Sequence, residues 1–233
     1  GTSLAVREWG DPGDRPLVFW HSLGPAASGA LVGEAAPVLA RHGLHVLALD
    51  APGFGESPAL PSERYTVDSL VGLTLELLDA LELERVAYMG HSWGGFDAMF
   101  LSTHTKLFAA AVSGAGISDL ISNYGNHHWS SGIAETDHIE TGQQRMVVPL
   151  YEDLQAYIRN SAVFGVPTMT TPLLLMTGDN DGTVYWHQSV ELYNIARRAK
   201  KDVVMLVYNG EDHGLSQRKN QIDYHRRIHA WFD

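Results

Sequence analysis

Short apolar runs of strand length alternate along the chain with stretches whose apolar residues recur at helical spacing. The strand-like runs are Leu4–Trp9, Leu17–Trp20, His45–Leu49, Val86–Met89, Ala109–Ser113, Leu173–Met176 and Val203–Tyr208. Between them the spacing predicts helices over about Gly29–Arg41, Thr66–Leu81, Gly94–Thr103, His187–Ala199 and Asn220–Phe232. Thr66-Val67-Asp68-Ser69 makes a good helix start, because apolar residues then return at Leu70, Val71, Leu73, Leu77, Leu78 and Leu81. Alternation of this kind predicts an α/β fold, a mostly parallel sheet flanked by helices on both faces. At 233 residues the chain is read as a single such domain spanning 1–233. No internal repeat or low-complexity linker interrupts it. One stretch, residues 119–172, lacks a clear period and is rich in Gly, Ser, His, Asn and aromatic residues. A connection this long carries its own structure or serves as a lid or binding loop, and it is read as an insertion over the sheet.

Composition narrows the classes. The apolar fraction of 45% and charged fraction of 18% are those of a soluble globular protein, and no run approaches the roughly 20 apolar residues of a membrane span. The formal charge of −11 argues against nucleic acid and anionic membranes as partners. With no cysteine there are no disulfides, no thiolate metal site and no Cys nucleophile. Gly1-Thr2-Ser3 has neither an initiator Met nor a signal segment and reads as a processed or tag-derived end, so a cytoplasmic location is only the default.

The most informative motif is Gly90-His91-Ser92-Trp93-Gly94-Gly95, directly after the apolar run Val86–Met89. It has the form G-x-S-x-G at a strand-turn-helix, where a strained serine needs small neighbours so that strand and helix can approach it. A nucleophilic Ser92 requires a base and an acid that orients the base. In this architecture they follow in the order Ser, acid, His, each beyond the carboxyl end of a strand. Leu173–Met176 runs into Thr177-Gly178-Asp179-Asn180-Asp181-Gly182, which offers two carboxylates, and Val203–Tyr208 runs into Asn209-Gly210-Glu211-Asp212-His213-Gly214. Asp181 is preferred to Asp179, which follows the turn glycine, where a carboxylate often caps its own backbone. His213 is taken as the base. The oxyanion donors are read as the backbone N–H of Trp93 and that of Leu23, in the His21-Ser22-Leu23-Gly24 loop.

Other motifs carry less. His225 and His229 have helical metal-pair spacing but no third ligand, and His127, His128 and His138 read as loop histidines. Asp50-Ala51-Pro52-Gly53-Phe54-Gly55-Glu56-Ser57 lacks the Lys and spacing of a phosphate loop and reads as a tight turn. No metal and no cofactor is called for.

With these residues in place the chain resembles an α/β-hydrolase-fold serine hydrolase over nearly its whole length. Asp50 to Ser57 matches the D-x-x-G-x-G-x-S turn of that superfamily. The part from Leu4 to about Leu83 resembles small bacterial esterases and enol-lactonases, through His21-Ser22-Leu23-Gly24. From Gly90 onward the chain resembles the catalytic domain of prolyl-oligopeptidase-family peptidases, through Gly90–Gly95, Ala109–Ala115, Thr171–Met176 and Tyr208–His213. The change of resemblance near residue 90 suggests a chimera or an engineered sequence.

The resemblance implies Ser92, Asp181 and His213 as a triad and an insertion or lid after the sixth strand. It also implies a sheet lacking the usual first antiparallel strand, since few residues precede Leu17. The peptidases' β-propeller has no room in 233 residues. The function expected is therefore a carboxylesterase acting through an acyl-enzyme on small esters. The alternatives are an aminopeptidase or oligopeptidase-like amidase taking a short peptide, and an engineered scaffold with weak or no activity. Tyr124, Trp129 and Tyr157 are the expected lining of a substrate pocket.

Overall fold

A computed structural model of the chain describes residues 3–22, 28–65, 67–83 and 85–233. Its strands, in chain order, are β1 (Val6–Trp9), β2 (Arg15–Trp20), β3 (Leu44–Leu49), β4 (Val86–His91), β5 (Phe108–Gly114), β6 (His127–His128), β7 (Ile133–Ala134), β8 (Leu173–Gly178) and β9 (Val203–Tyr208). All seven strand-like runs of the sequence form strands of one sheet, in the order β1-β3-β2-β4-β5-β8-β9, while β6 and β7 pair as a separate small hairpin. Every pairing in the large sheet is parallel except β1 with β3, which runs antiparallel with Val6 opposite Leu49. The front edge of the sheet thus carries an antiparallel strand, built from Val6–Trp9.

The helices are α1 (Ala36–Ala40), α2 (Val67–Ala80), α3 (Trp93–His104), α4 (Leu120–Tyr124), α5 (Glu135–Glu140), α6 (Leu154–Arg159), α7 (Ala162–Gly165), α8 (His187–Arg198) and α9 (Arg218–Phe232). Two apolar cores lie on opposite faces of the sheet. Alternate residues of β2 show the division: Val18 and Trp20 belong to the core that also holds α3 and Leu192 and Ala196 of α8, whereas Leu17 and Phe19 belong to the core that holds residues of α1 and α9. Both faces are covered, so the strands read as continuous apolar runs. Helix α9 buries Tyr224, Ile228 and Phe232, one every four residues, against the second core. Helix α3 is buried along nearly its whole length.

The segment 119–172, expected after the sixth strand, follows β5, the fifth strand among the described residues. It is far from structureless. Asp119 caps α4 by accepting from the Ile121 N–H at 2.8 Å, and Asp153 caps α6 by accepting from Ala156 N–H at 3.0 Å. Helices of four to six residues are too short to show a period, which is why the spacing missed them. Gln188 of α8 clamps the start of the insertion, its Oε1 accepting from the N–H groups of Ser118 (3.0 Å) and Asp119 (2.9 Å). The Asp50–Ser57 segment is the tight turn expected: the buried Asp50 carboxylate accepts from Gly29 N–H (2.5 Å) and Glu56 N–H (2.9 Å), and Ser57 Oγ donates to Asp50 O. Among the described residues no helix is long and apolar enough to cross a membrane.

Candidate active site

β4 ends at His91, and the chain turns into α3 through a single residue. That residue, Ser92, has φ 59° and ψ −115°. A left-handed backbone at a non-glycine residue costs about 1–3 kcal/mol and persists only where its surroundings fix it. Here Ser92 N–H donates to Gly114 O at 2.8 Å and Ser92 O accepts from Phe96 N–H at 2.9 Å, tying the residue to β5 and α3. The glycines around it are required by contact. A Cβ on Gly90 would lie 2.1 Å from Gly94 O, and one on Gly94 would lie 2.2 Å from Trp20 O. The Ser92 side chain does not cap the helix. Trp93 is the first residue of α3, so its N–H has no partner four residues back within the helix. Leu23 lies outside the described residues. The loop before it is held by His21, whose Nε2 accepts from Ala51 N–H (2.9 Å) while Nδ1 donates to Ser22 O (2.6 Å). Burial lowers the pKa of His21, which suits this neutral tautomer.

The loops after β8 and β9 interlock. Asp181 is buried; its Oδ1 accepts from the N–H groups of Thr183 (2.8 Å) and Val184 (2.9 Å), and its Oδ2 meets His213 Nδ1 at 2.9 Å. With Oδ1 fixed by two donors, Oδ2 is presented to the imidazole and selects the Nδ1–H tautomer. Asp179 does not cap its own backbone, as its position after the turn glycine suggested. It accepts from Gly210 N–H (2.6 Å) and Asn209 Nδ2 (2.6 Å), and so braces the other loop. Asp212 Oδ1 accepts from Gly182 N–H at 2.9 Å and from His213 N–H at 2.7 Å. Beneath them sits Glu211, fully buried. Desolvation works to raise its pKa, but bonds from Ser216 N–H and Oγ, Asn220 Nδ2 and Gln217 N–H outweigh it and hold the carboxyl down to about 2. This carboxylate joins the His213 loop to the start of α9. The His91 ring packs 5.0 Å from the His213 ring; burial and then the nearby His213 charge push its pKa down to about 4.

Ser92, Trp93 and His213 line one cavity of about 240 Å³. Its apolar wall is Phe96, Ile117 and Val184, and the insertion supplies a polar wall of His128, Glu135, His138, Gln143 and Gln144. Burial lowers the pKa of both histidines, and raises that of Glu135 to about 7 against the opposing bond from Asn123. None of the polar wall residues stood out in the sequence as lining, because their placement over the cavity is tertiary.

Tyr124, Trp129 and Tyr157 do not line this cavity. Tyr157 is fully buried, donates to Val148 O at 2.8 Å and packs edge-on against Tyr124, which itself bonds Glu140. These two aromatics hold the insertion together. Trp129 stands 74% exposed on the β6–β7 hairpin, beside His127. His128 and His138 lie with ring centroids 5.1 Å apart, and no group of three metal-ligating side chains occurs among the described residues.

A strained serine between the central strand and its helix, with acid and imidazole on the loops of the next strands, defines the α/β-hydrolase class, and the solved structures agree on the fold. The acylaminoacyl peptidase of Pyrococcus horikoshii superposes with a TM-score of 0.76 at 18% identity, over 98% of this chain and 39% of that one. The meta-cleavage product hydrolase of Pseudomonas fluorescens does so with a TM-score of 0.71 at 18% identity, over 98% and 93%. The sequence profile of the prolyl oligopeptidase family matches residues 73–233, and the chain belongs to that family. The match begins inside α2, ahead of the strand at which the two resemblances meet. Dipeptidyl-peptidase 5 of Porphyromonas gingivalis is 26% identical over 159 residues, 64% of this chain and 21% of that protein. A putative non-heme haloperoxidase of Mycobacterium phage D29 is 40% identical over 98 residues, 42% of this chain and 34% of that protein. The chain thus spans between about a fifth and a third of these curated relatives.

Proposed function

We propose that the chain is a serine hydrolase working through an acyl-enzyme, with small carboxylic esters as its substrates. Ser92 attacks the ester carbonyl, His213 Nε2 takes the Ser92 proton and later returns it to the leaving alcohol, and Asp181 holds the imidazole in the Nδ1–H tautomer. The Trp93 N–H stabilises the developing oxyanion, with Leu23 assigned the second N–H. The observation that carries this reading is the Asp181–His213 bond in the wall of the cavity lined by Ser92. The insertion over 119–172 acts as that cavity's lid.

A second reading, an aminopeptidase or oligopeptidase-like amidase, is favoured by the family match and by the similarity to a dipeptidyl-peptidase. Turnover of p-nitrophenyl acetate against an aminoacyl p-nitroanilide separates the two. The deciding experiment is fluorophosphonate labelling with peptide mapping, run beside Ser92→Ala. Labelling at Ser92 and loss of ester turnover in the variant are expected. Undiminished turnover in Ser92→Ala overturns the assignment, and a folded protein that neither labels nor turns over favours an inert scaffold.

A further inference from the structure

The cavity contains a carboxyl group that the acyl-transfer reading does not use. Glu135, first residue of α5, is 2% exposed and faces the cavity that Ser92 and His213 also line. Among the described residues its one side-chain hydrogen bond is from Asn123 Nδ2 to Oε2 at 3.1 Å, and it takes part in no ion pair. No Lys or Arg lines this cavity among the described residues. The histidines of the same wall do not supply a cation either, because burial favours their neutral forms. A buried carboxylate without a cation is costly, and proteins normally pair it or neutralise it.

A second observation points the same way. Gln144, 6% exposed in the same wall, has neither its amide oxygen nor its amide nitrogen hydrogen-bonded. An alkyl acyl chain would leave that amide unsatisfied; a polar group would not.

We infer that Glu135 is a specificity-determining residue that reads a primary ammonium on the acyl part of the substrate, so that aminoacyl esters or amides are preferred to alkyl ones. The inference rests on the serine-hydrolase reading of this cavity. A ligand ammonium brings the missing cation, and Gln144 Oε1, in the lining of the same cavity, is an acceptor without a partner. Protonation fits: burial raises the Glu135 pKa to about 7, and a bound cation would favour the ionised form. The cavity, at about 240 Å³, has room for a short acyl group of this kind.

The test uses p-nitrophenyl β-alaninate and p-nitrophenyl butyrate, which match in shape and differ by ammonium in place of methyl. Each kcat/KM is divided by the uncatalysed hydrolysis rate of the same ester. The ratio of the two is then taken within each variant, so that the amount of folded enzyme cancels. In the wild type the β-alaninate ester is expected to lead by at least tenfold. Glu135→Gln keeps an oxygen for Asn123 and removes the charge; it should cut the ratio at least tenfold, mainly through a higher KM for β-alaninate. Glu135→Asp, which keeps the charge, should recover part of it. A wild-type ratio near one, or the same ratio in the wild type and Glu135→Gln, overturns the role of Glu135 while leaving the hydrolase reading intact. No turnover of either ester together with no fluorophosphonate labelling of Ser92 overturns both.

Discussion

Replacing Asp181 by Asn isolates the orienting step. The Asp181 carboxylate has no solvent exposure and three donors: two backbone N–H groups on Oδ1 and His213 Nδ1–H on Oδ2. An asparagine can orient its amide in two ways. With its oxygen kept on the Thr183 and Val184 N–H groups, Nδ2 faces His213 Nδ1 and forces the imidazole proton onto Nε2. With the amide flipped, the NH₂ group faces two backbone donors, and at about 1–3 kcal/mol for each buried group left unsatisfied the cost is about 2–6 kcal/mol. The first orientation therefore wins. It leaves no lone pair on Nε2 to take the Ser92 proton, and wrong-tautomer losses in such triads are about 10⁴-fold in kcat, close to 5 kcal/mol of barrier. The assay is steady-state hydrolysis of p-nitrophenyl acetate, with the folded fraction checked by thermal melting. Asp179→Asn is the control, since Asp179 braces the Gly210 turn and does not touch His213. A loss below tenfold in Asp181→Asn, or a larger one in Asp179→Asn, refutes the assignment of the acid.

Three further outcomes follow from the geometry. Glu211→Gln should lower the melting temperature at neutral pH. Because the folded pKa of Glu211 lies near 2, below the ordinary value of 4.5, its contribution is full above pH 4.5 and lost as pH falls towards 2; the two melting curves should converge there, and a gap that stays constant with pH would contradict the anchoring role. Gly94→Ala should lose both stability, by about 1–3 kcal/mol, and ester turnover, because its Cβ would meet Trp20 O at 2.2 Å and displace the elbow; wild-type kcat in that variant would argue against a tightly constrained turn. Tyr157→Phe should cost about 1 kcal/mol in urea unfolding through the lost bond to Val148 O and leave the ester KM unchanged, whereas a shifted KM would return Tyr157 to the substrate pocket.

Much of the framework was legible because burial writes itself into the sequence. Each of the seven strand-like runs is a strand, since a sheet covered on both faces needs apolar side chains at successive positions. The turn at Gly90–Gly95 was legible because close approach of Trp20 and Gly114 to the helix tolerates little besides glycine. The insertion was not legible. Its helices are short, and what fixes them is capping by Asp119 and Asp153 and the clamp of Gln188, 69 residues away from Asp119.

The sequence by itself determined the order of the seven sheet strands and the longer helices, the turn at Ser92 and the two loops that offer a carboxylate and an imidazole. Those features are local, set by side-chain period and by backbone positions that exclude a Cβ. Only the tertiary structure decided which of two carboxylates meets His213, because Asp179 and Asp181 differ in hydrogen-bond partners drawn from the neighbouring loop. It also decided what surrounds Ser92. Tyr124 and Tyr157 turned inward to pack the insertion, while Glu135, His138 and Gln144 were carried to the cavity wall. A pocket is made by surfaces from distant segments, and their juxtaposition leaves no period in the chain.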